Sequence, residues 1–271
     1  MGSDTKIEIR DIFSDVKDEV IKLPDFQREF KWKQGTMVEF VKSIYKQYPT
    51  GTFYFWKTKN KDDQNTTTYL VDGQQRITTI SYCLYGALPK FHSGYTPKFS
   101  IYFNPFSEKF VTQIPKNEYL EKWIKLTDFF KLSQAQAISS YTNELKKIEK
   151  DDSEFSYDPF LIAERLGKLK DIETYTYYID ELPRDIPVLE AVSIFNLINS
   201  KGTNLSDGDL AYATVSGRWD GFKKEFITFK QTKMETRGYF FDTYFYMRLL
   251  AATTGNYAKI DDSFHEMSKK E

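Results

Sequence analysis

Residues Tyr69 to Ile80 run Tyr-Leu-Val-Asp-Gly-Gln-Gln-Arg-Ile-Thr-Thr-Ile, and this order of residue types suits chemistry on an anion. An apolar strand turning at Asp72-Gly73 into a helix leaves the first N–H groups of that helix unpaired, at the positive end of its dipole. Gly73 lets a phosphate approach the backbone, Gln74 and Gln75 carry amide donors, and Arg76 has the planar fork that grips two phosphate oxygens. Asp72 is placed to hold a Mg²⁺ ion or to orient a water, while Thr78 and Thr79 add hydroxyls one turn on. The same residues also fit a plain Asp-Gly turn with a polar first helical turn. Alone they do not separate the two readings.

Two further constellations carry polar groups in an unusual setting. Pro24-Asp25-Phe26-Gln27-Arg28, followed by Phe30 and Trp32, combines an extended entry with a Gln-Arg pair flanked by aromatics, suited to a base or a phosphate. An N-terminal arm whose rings dock on the core is the commoner fate of Phe and Trp. The third, Phe195 to Ser206, is the end of a helix running into a Gly-containing loop with Asn199, Lys201 and Gly202. By itself it reads as a linker, with Ser206 and Asp209 capping the next helix.

The elements that must position these residues follow from periodicity. Met37, Val41, Ile44, Tyr45 and Tyr48 recur at helical spacing, Thr36 and Glu39 form a capping-box pair, and Pro49 and Gly51 end the helix. Thr52 to Trp56 is strand-like, Lys59 to Asn65 a polar surface loop, and Tyr69 to Val71 the next strand. The helix after Asp72-Gly73 carries Ile77, Ile80 and Leu84 on one face and stops near Gly86. A strand is predicted at Phe99 to Phe103, closed by Asn104-Pro105. Beyond residue 115 helices dominate: Ile138 to Ile148 capped by Ser133 and Gln136, one opened by Asp158-Pro159, then Pro187 to Ile198, Asp207 to Ser216, Trp219 to Phe229 and Tyr239 to Thr253. Thr174 to Ile179 alternates like a strand. The expected division is an α/β nucleotide-binding core over 1–115, a mainly helical region over 116–258 packed on it, and a frayed tail over 259–271.

Composition narrows the function classes. The 271 residues hold 38 Lys plus Arg against 39 Asp plus Glu, so a net charge of -1 gives no general pull toward nucleic acid, and any DNA contact must be a local patch. Arg28, Lys31 and Lys33 form one such cluster. Only His92 and His265 are present, and neither belongs to a Cys and acidic set at zinc-ligand spacing, which argues against a zinc site or a His-centred triad. The single Cys83 excludes an internal disulfide and fits a cytoplasmic protein; no apolar run spans a bilayer, so no membrane association is expected.

Together PDFQR with a following Trp, YLVDGQQRITTI and FNLINSKGTNLS resemble, over Asp11 to Ala213, the domain that forms the N-terminal half of GmrSD-type modification-dependent restriction enzymes and of SspE. The middle motif is the specific one. The resemblance implies a ParB/sulfiredoxin-like mixed α/β core followed by helices, binding and hydrolysing a nucleoside triphosphate, with Mg²⁺ as companion. It assigns Asp72, Gly73, Gln74, Gln75 and Arg76 to the nucleotide motif, with Asp72, Gln75 and Arg76 catalytic. Gln27 and Arg28 fall on the N-terminal Gln-Arg motif, and Asn199 and Gly202 on the third, beside Trp32 and Lys201 as accessory positions. In such systems the domain senses a nucleotide or a mark on DNA and controls a His-Asn-His nuclease domain or subunit, and a homo-oligomer is compatible. Two distant His residues cannot supply that nuclease, so the expectation is a shortened chain or a stand-alone regulatory subunit, with Met1-Gly2-Ser3 a tag remnant. A non-catalytic module recognising modified DNA is the alternative. A sulfiredoxin-type redox enzyme would need Cys in the turn, where Gln stands.

Overall fold

In the computed structural model, residues 5–59, 66–92, 94–118, 120–152, 154–184, 186–200, 206–219 and 221–255 are described. The chain opens with strand β1 (Thr5–Glu8) and helix α1 (Ile9–Lys17), whose Ile9, Ile12 and Val16 sit on one buried face. After β2 (Ile21–Lys22) comes α2 (Gln34–Tyr45), which starts two residues before the Thr36-Glu39 pair. That pair therefore lies inside the helix, Lys33 takes the cap position without a side-chain bond, and the expected capping box does not form. Gln47, with φ 58°, turns the chain out of α2 ahead of Pro49.

Strands β3 (Phe53–Lys59) and β4 (Thr66–Asp72) flank residues 60–65, so the loop expected over 59–65 lies outside the described residues apart from Lys59, which is strand. Helix α3 (Gln74–Tyr85) runs from Gly73 to Gly86, both with left-handed backbone. Strand β5 (Tyr102–Asn104) begins later than expected. The Tyr82 hydroxyl serves both backbone groups of Phe99, donating to its carbonyl at 2.7 Å and accepting from its N–H at 3.1 Å. Phe99 thus needs no strand neighbour.

Next come β6 (Lys109–Val111), β7 (Ile124–Lys125), α4 (Leu126–Phe129) and α5 (Gln134–Asp151), the last with the Ser133-Gln136 capping box in place. Asp158 caps α6 (Pro159–Lys170), β8 (Thr176–Glu181) follows, and then α7 (Val188–Ser200) and α8 (Asp207–Arg218), the latter boxed by Ser206 and Asp209. Helices α9 (Phe222–Phe229) and α10 (Thr243–Gly255) begin after left-handed Gly221 and Gly238, later than expected. The tail over 259–271 lies outside the described residues.

The fold is mixed α/β with a mainly helical C-terminal half. The chain forms two compact units, each assembled from separated segments. One takes residues 1–20, 29–53 and 73–180. In it β1 pairs antiparallel with β8, β5 lies between β6 and β7, and α1 packs on α3, where Phe13 stacks on Tyr85 at 3.9 Å. The other takes 21–28, 54–72 and 181–271. There β4 pairs antiparallel with β3 and parallel with β2, and Phe26, Trp56, Val71, Val192 and Phe195 form an apolar cluster against α7. A second cluster joins Tyr212 and Val215 of α8 to Phe222, Phe226, Tyr246 and Met247. Each such buried side chain contributes roughly 1.5–3 kcal/mol.

Candidate functional site

The corner into α3 is shaped by one glycine and one aromatic ring. Gly73 has φ 118°, and a Cβ there would overlap the Phe53 ring. No side chain caps α3, and its first intrahelical bond runs from the Ile77 N–H to the Gly73 carbonyl at 3.0 Å. Gly73, in the cap position, has no side chain to offer the N–H groups at the helix's positive end. Gln74 is buried at 4 % exposure, and its Oε1 has no hydrogen-bond partner. The Thr78 hydroxyl, one turn along the same face, is also buried without a partner. Thr79 donates to the Gln75 carbonyl at 2.8 Å.

Arg76 is used differently from the reading of its type alone. Its Nη1 donates to the Thr50 carbonyl at 3.2 Å and its Nη2 to the Thr52 carbonyl at 2.8 Å, with the guanidinium 4.8 Å over the Phe53 ring. The fork that could hold two phosphate oxygens here holds two carbonyl oxygens leading into β3. Gly51 makes this possible, because a Cβ on it would lie 2.7 Å from Nη1. Thr50 in turn donates to the buried Tyr177 hydroxyl at 2.8 Å. Burial pushes the Tyr177 phenol well above its usual range, so it stays neutral.

Gln75 ties the corner to the aromatic arm. Its Oε1 accepts from the Lys31 N–H at 2.9 Å and the Trp32 N–H at 3.1 Å, and its Nε2 donates to the Glu29 carbonyl at 3.4 Å. One side-chain amide does the work of a neighbouring strand. Trp32 rests edge-on against Phe40 at 5.2 Å.

Gln27 and Arg28 belong to the other unit, with Asp72. Gln27 is buried, and its amide donates to the carbonyls of Val71 and Leu70 on β4. Arg28 pairs with Asp209, Nη1 to Oδ2, at 3.5 Å; the Asp209 side chain is 2 % exposed and also closes the capping box with Ser206. Phe26 meets Phe195 at 5.5 Å. The first and third motifs are thus joined in one unit. Asp72 ends β4, partly buried, opposite Tyr54. Asn199 lies within α7, whereas Lys201 and Gly202 lie outside the described residues.

Sequence reasoning missed Thr50, Thr52 and Phe53 as partners of the motif and Asp209 as the partner of Arg28. No local pattern marks the former. Asp209 did carry a signal, as a buried acid in a helix's first turn is a natural seat for a distant cation. Among the described residues, no three His, Cys, Asp or Glu side chains gather as a metal site, and no helix is long and apolar enough to cross a membrane.

In one unit Gln75 and Arg76 brace the start of α3, and in the other Gln27 and Arg28 brace β4 and α8; the fold is that of a mixed α/β domain. The sequence profile described as "GmrSD restriction endonuclease, N-terminal domain" matches residues 9–216, and the chain belongs to that family. It is therefore related to components of DNA restriction systems. The chain is also 23 % identical over 255 residues to the uncharacterized protein MJ0686 of Methanocaldococcus jannaschii, an alignment covering 79 % of this chain and 42 % of that protein. The chain thus spans less than half the length of this relative.

Proposed function

We propose that the domain binds and hydrolyses a nucleoside triphosphate at the turn into α3, and that nucleotide state controls a separate His-Asn-His nuclease acting on DNA. The observation that carries this reading is the buried, unpartnered Oε1 of Gln74 in the first turn of α3, behind a glycine at the cap position. The N–H groups of the first turn bind phosphate oxygens, and Gln74 Oε1 accepts from a nucleotide hydroxyl or amine. Gly73 supplies the left-handed backbone of the turn. Asp72 orients the attacking water, or shares a Mg²⁺ ion with phosphate oxygens; a single carboxylate suits that ion, which is commonly held by one or two carboxylates plus phosphates. Such an ion would neutralise charge on the leaving group. Arg76 and Gln75 act as positioning residues, fixing residues 50–52 and 29–32 around the turn. The α/β core is read as ParB/sulfiredoxin-like.

The test is phosphate release from each nucleoside triphosphate with Mg²⁺, with and without modified DNA, and calorimetry of binding. Asp72→Asn is expected to lower release at least about tenfold with unchanged folding, and Arg76→Ala to weaken nucleotide binding at least about tenfold. No heat of binding for any nucleotide would sink the proposal. Retained binding with no release would reduce it to a nucleotide-sensing domain.

A further inference from the structure

Beyond the family match, which ends at residue 216, the second unit carries an aromatic face that stands largely exposed among the described residues. Tyr239, Phe241 and Phe245 form a column of near-parallel rings: Tyr239 and Phe241 are 7° apart in plane, and Phe241 and Phe245 are 22° apart with centroids at 4.0 Å. Phe241 is packed on the α8–α10 cluster, anchoring the column. Its ends face water, with Tyr239 54 % and Phe245 40 % exposed, and the adjoining Phe240 is 76 % exposed. Arg248 lies 5.8 Å over the Tyr244 ring, and Arg237 and Lys233 are exposed just before the column. Residues 221–255 hold six Lys and Arg against three Asp and Glu, in a chain whose net charge is -1.

We propose that this face binds single-stranded nucleic acid, the rings receiving unstacked bases while Arg237, Arg248 and Lys233 meet phosphates. An anchored ring stack with exposed ends is a platform any base can extend, because every base has a π face. Bases within a duplex are already stacked and give such a platform nothing to hold. The local excess of cations favours a polyanion over an apolar protein surface, whose core would exclude lysine. The proposal shares with the preceding section only that DNA is a partner, and it needs no nucleoside triphosphate.

The test is fluorescence anisotropy of a labelled 20-nucleotide single strand and of its duplex, titrated with the full chain without nucleoside triphosphate. The single strand is expected to bind more tightly. Tyr239→Ala and Phe240→Ala should each weaken it about fivefold or more, whereas Phe160→Ala, which removes an exposed ring in the other unit, should not. Arg237→Ala should lower the slope of log affinity against log salt by about 0.7. Equal affinity for duplex and single strand, or wild-type binding by both aromatic variants, would overturn the proposal. So would sedimentation showing a wild-type dimer that Phe240→Ala converts to monomer with unchanged oligonucleotide binding, which would assign the face to a second copy of the chain. Because the titration contains no nucleoside triphosphate, its failure leaves the reading of the α3 corner standing, and the reverse also holds.

Discussion

Gln75 holds three backbone groups with one amide, so its truncation should register in stability before any ligand is added. Gln75→Ala leaves the Lys31 and Trp32 N–H groups without their acceptor, and a loss of about 2 kcal/mol is expected in urea unfolding. Gln75→Glu keeps the accepting oxygen and should lose less. Equal midpoints for wild type and Gln75→Ala would remove the bracing role. Gly73→Ala meets two obstacles at once, a φ of 118° and the Phe53 ring, and should cost about 2 kcal/mol or more. Its melting temperature decides this. The residue types were legible in the sequence, but their destinations were not. Gln27 and Arg76 read as polar groups facing a ligand; in the structure they hold the carbonyls of residues 70 and 71, and of 50 and 52, which lie more than twenty residues away and are marked by no local pattern.

Elements whose ends are set locally were readable. Ser133 with Gln136, Asp158 before Pro159, and Ser206 with Asp209 each satisfy the N–H groups of their own helix, and all three caps form as expected. Helix α1 was overlooked although Ile9, Ile12 and Val16 carried the spacing, and α2 was started too late because Thr36-Glu39 imitates a box. Tertiary contacts decide what local patterns cannot, as Glu108 illustrates. Its carboxylate accepts from the Tyr45 hydroxyl of α2 at 2.5 Å and from Lys168 of α6 at 3.1 Å, with Arg165 at 3.7 Å. The Tyr45 hydrogen bond, above all, holds its pKa below the usual 4.5; burial pushes it up, and Lys168 and Arg165 add to the lowering. A depressed carboxylate adds stability above its unfolded pKa, and that share is lost as pH falls through the folded value. Wild type should therefore lose stability more steeply than Glu108→Gln below about pH 4.5, in denaturation measured at successive pH values. Parallel curves would remove Glu108 as a link between α2 and α6.

At the scale of the molecule, the stretch shared with the family and the stretch that folds are not the same length. The family match stops within α8, yet Phe222, Phe226, Tyr246 and Met247 from beyond it cover Tyr212 and Val215. A chain ended at Arg218 would forgo roughly 6 kcal/mol even at the lower figure for four large buried side chains, comparable to a domain's whole margin. It is expected to bind a hydrophobic dye and self-associate where the full chain does not. A soluble, dye-silent 1–218 fragment would contradict that. Cys83, on α3, has a further practical consequence. It is 2 % exposed, and burial drives its thiol far above the ordinary range, so almost none is thiolate at neutral pH. Toward maleimides the native molecule should behave as cysteine-free. A thiol placed on the exposed side of α5 by Lys146→Cys would then take a single fluorophore with the natural cysteine left in place.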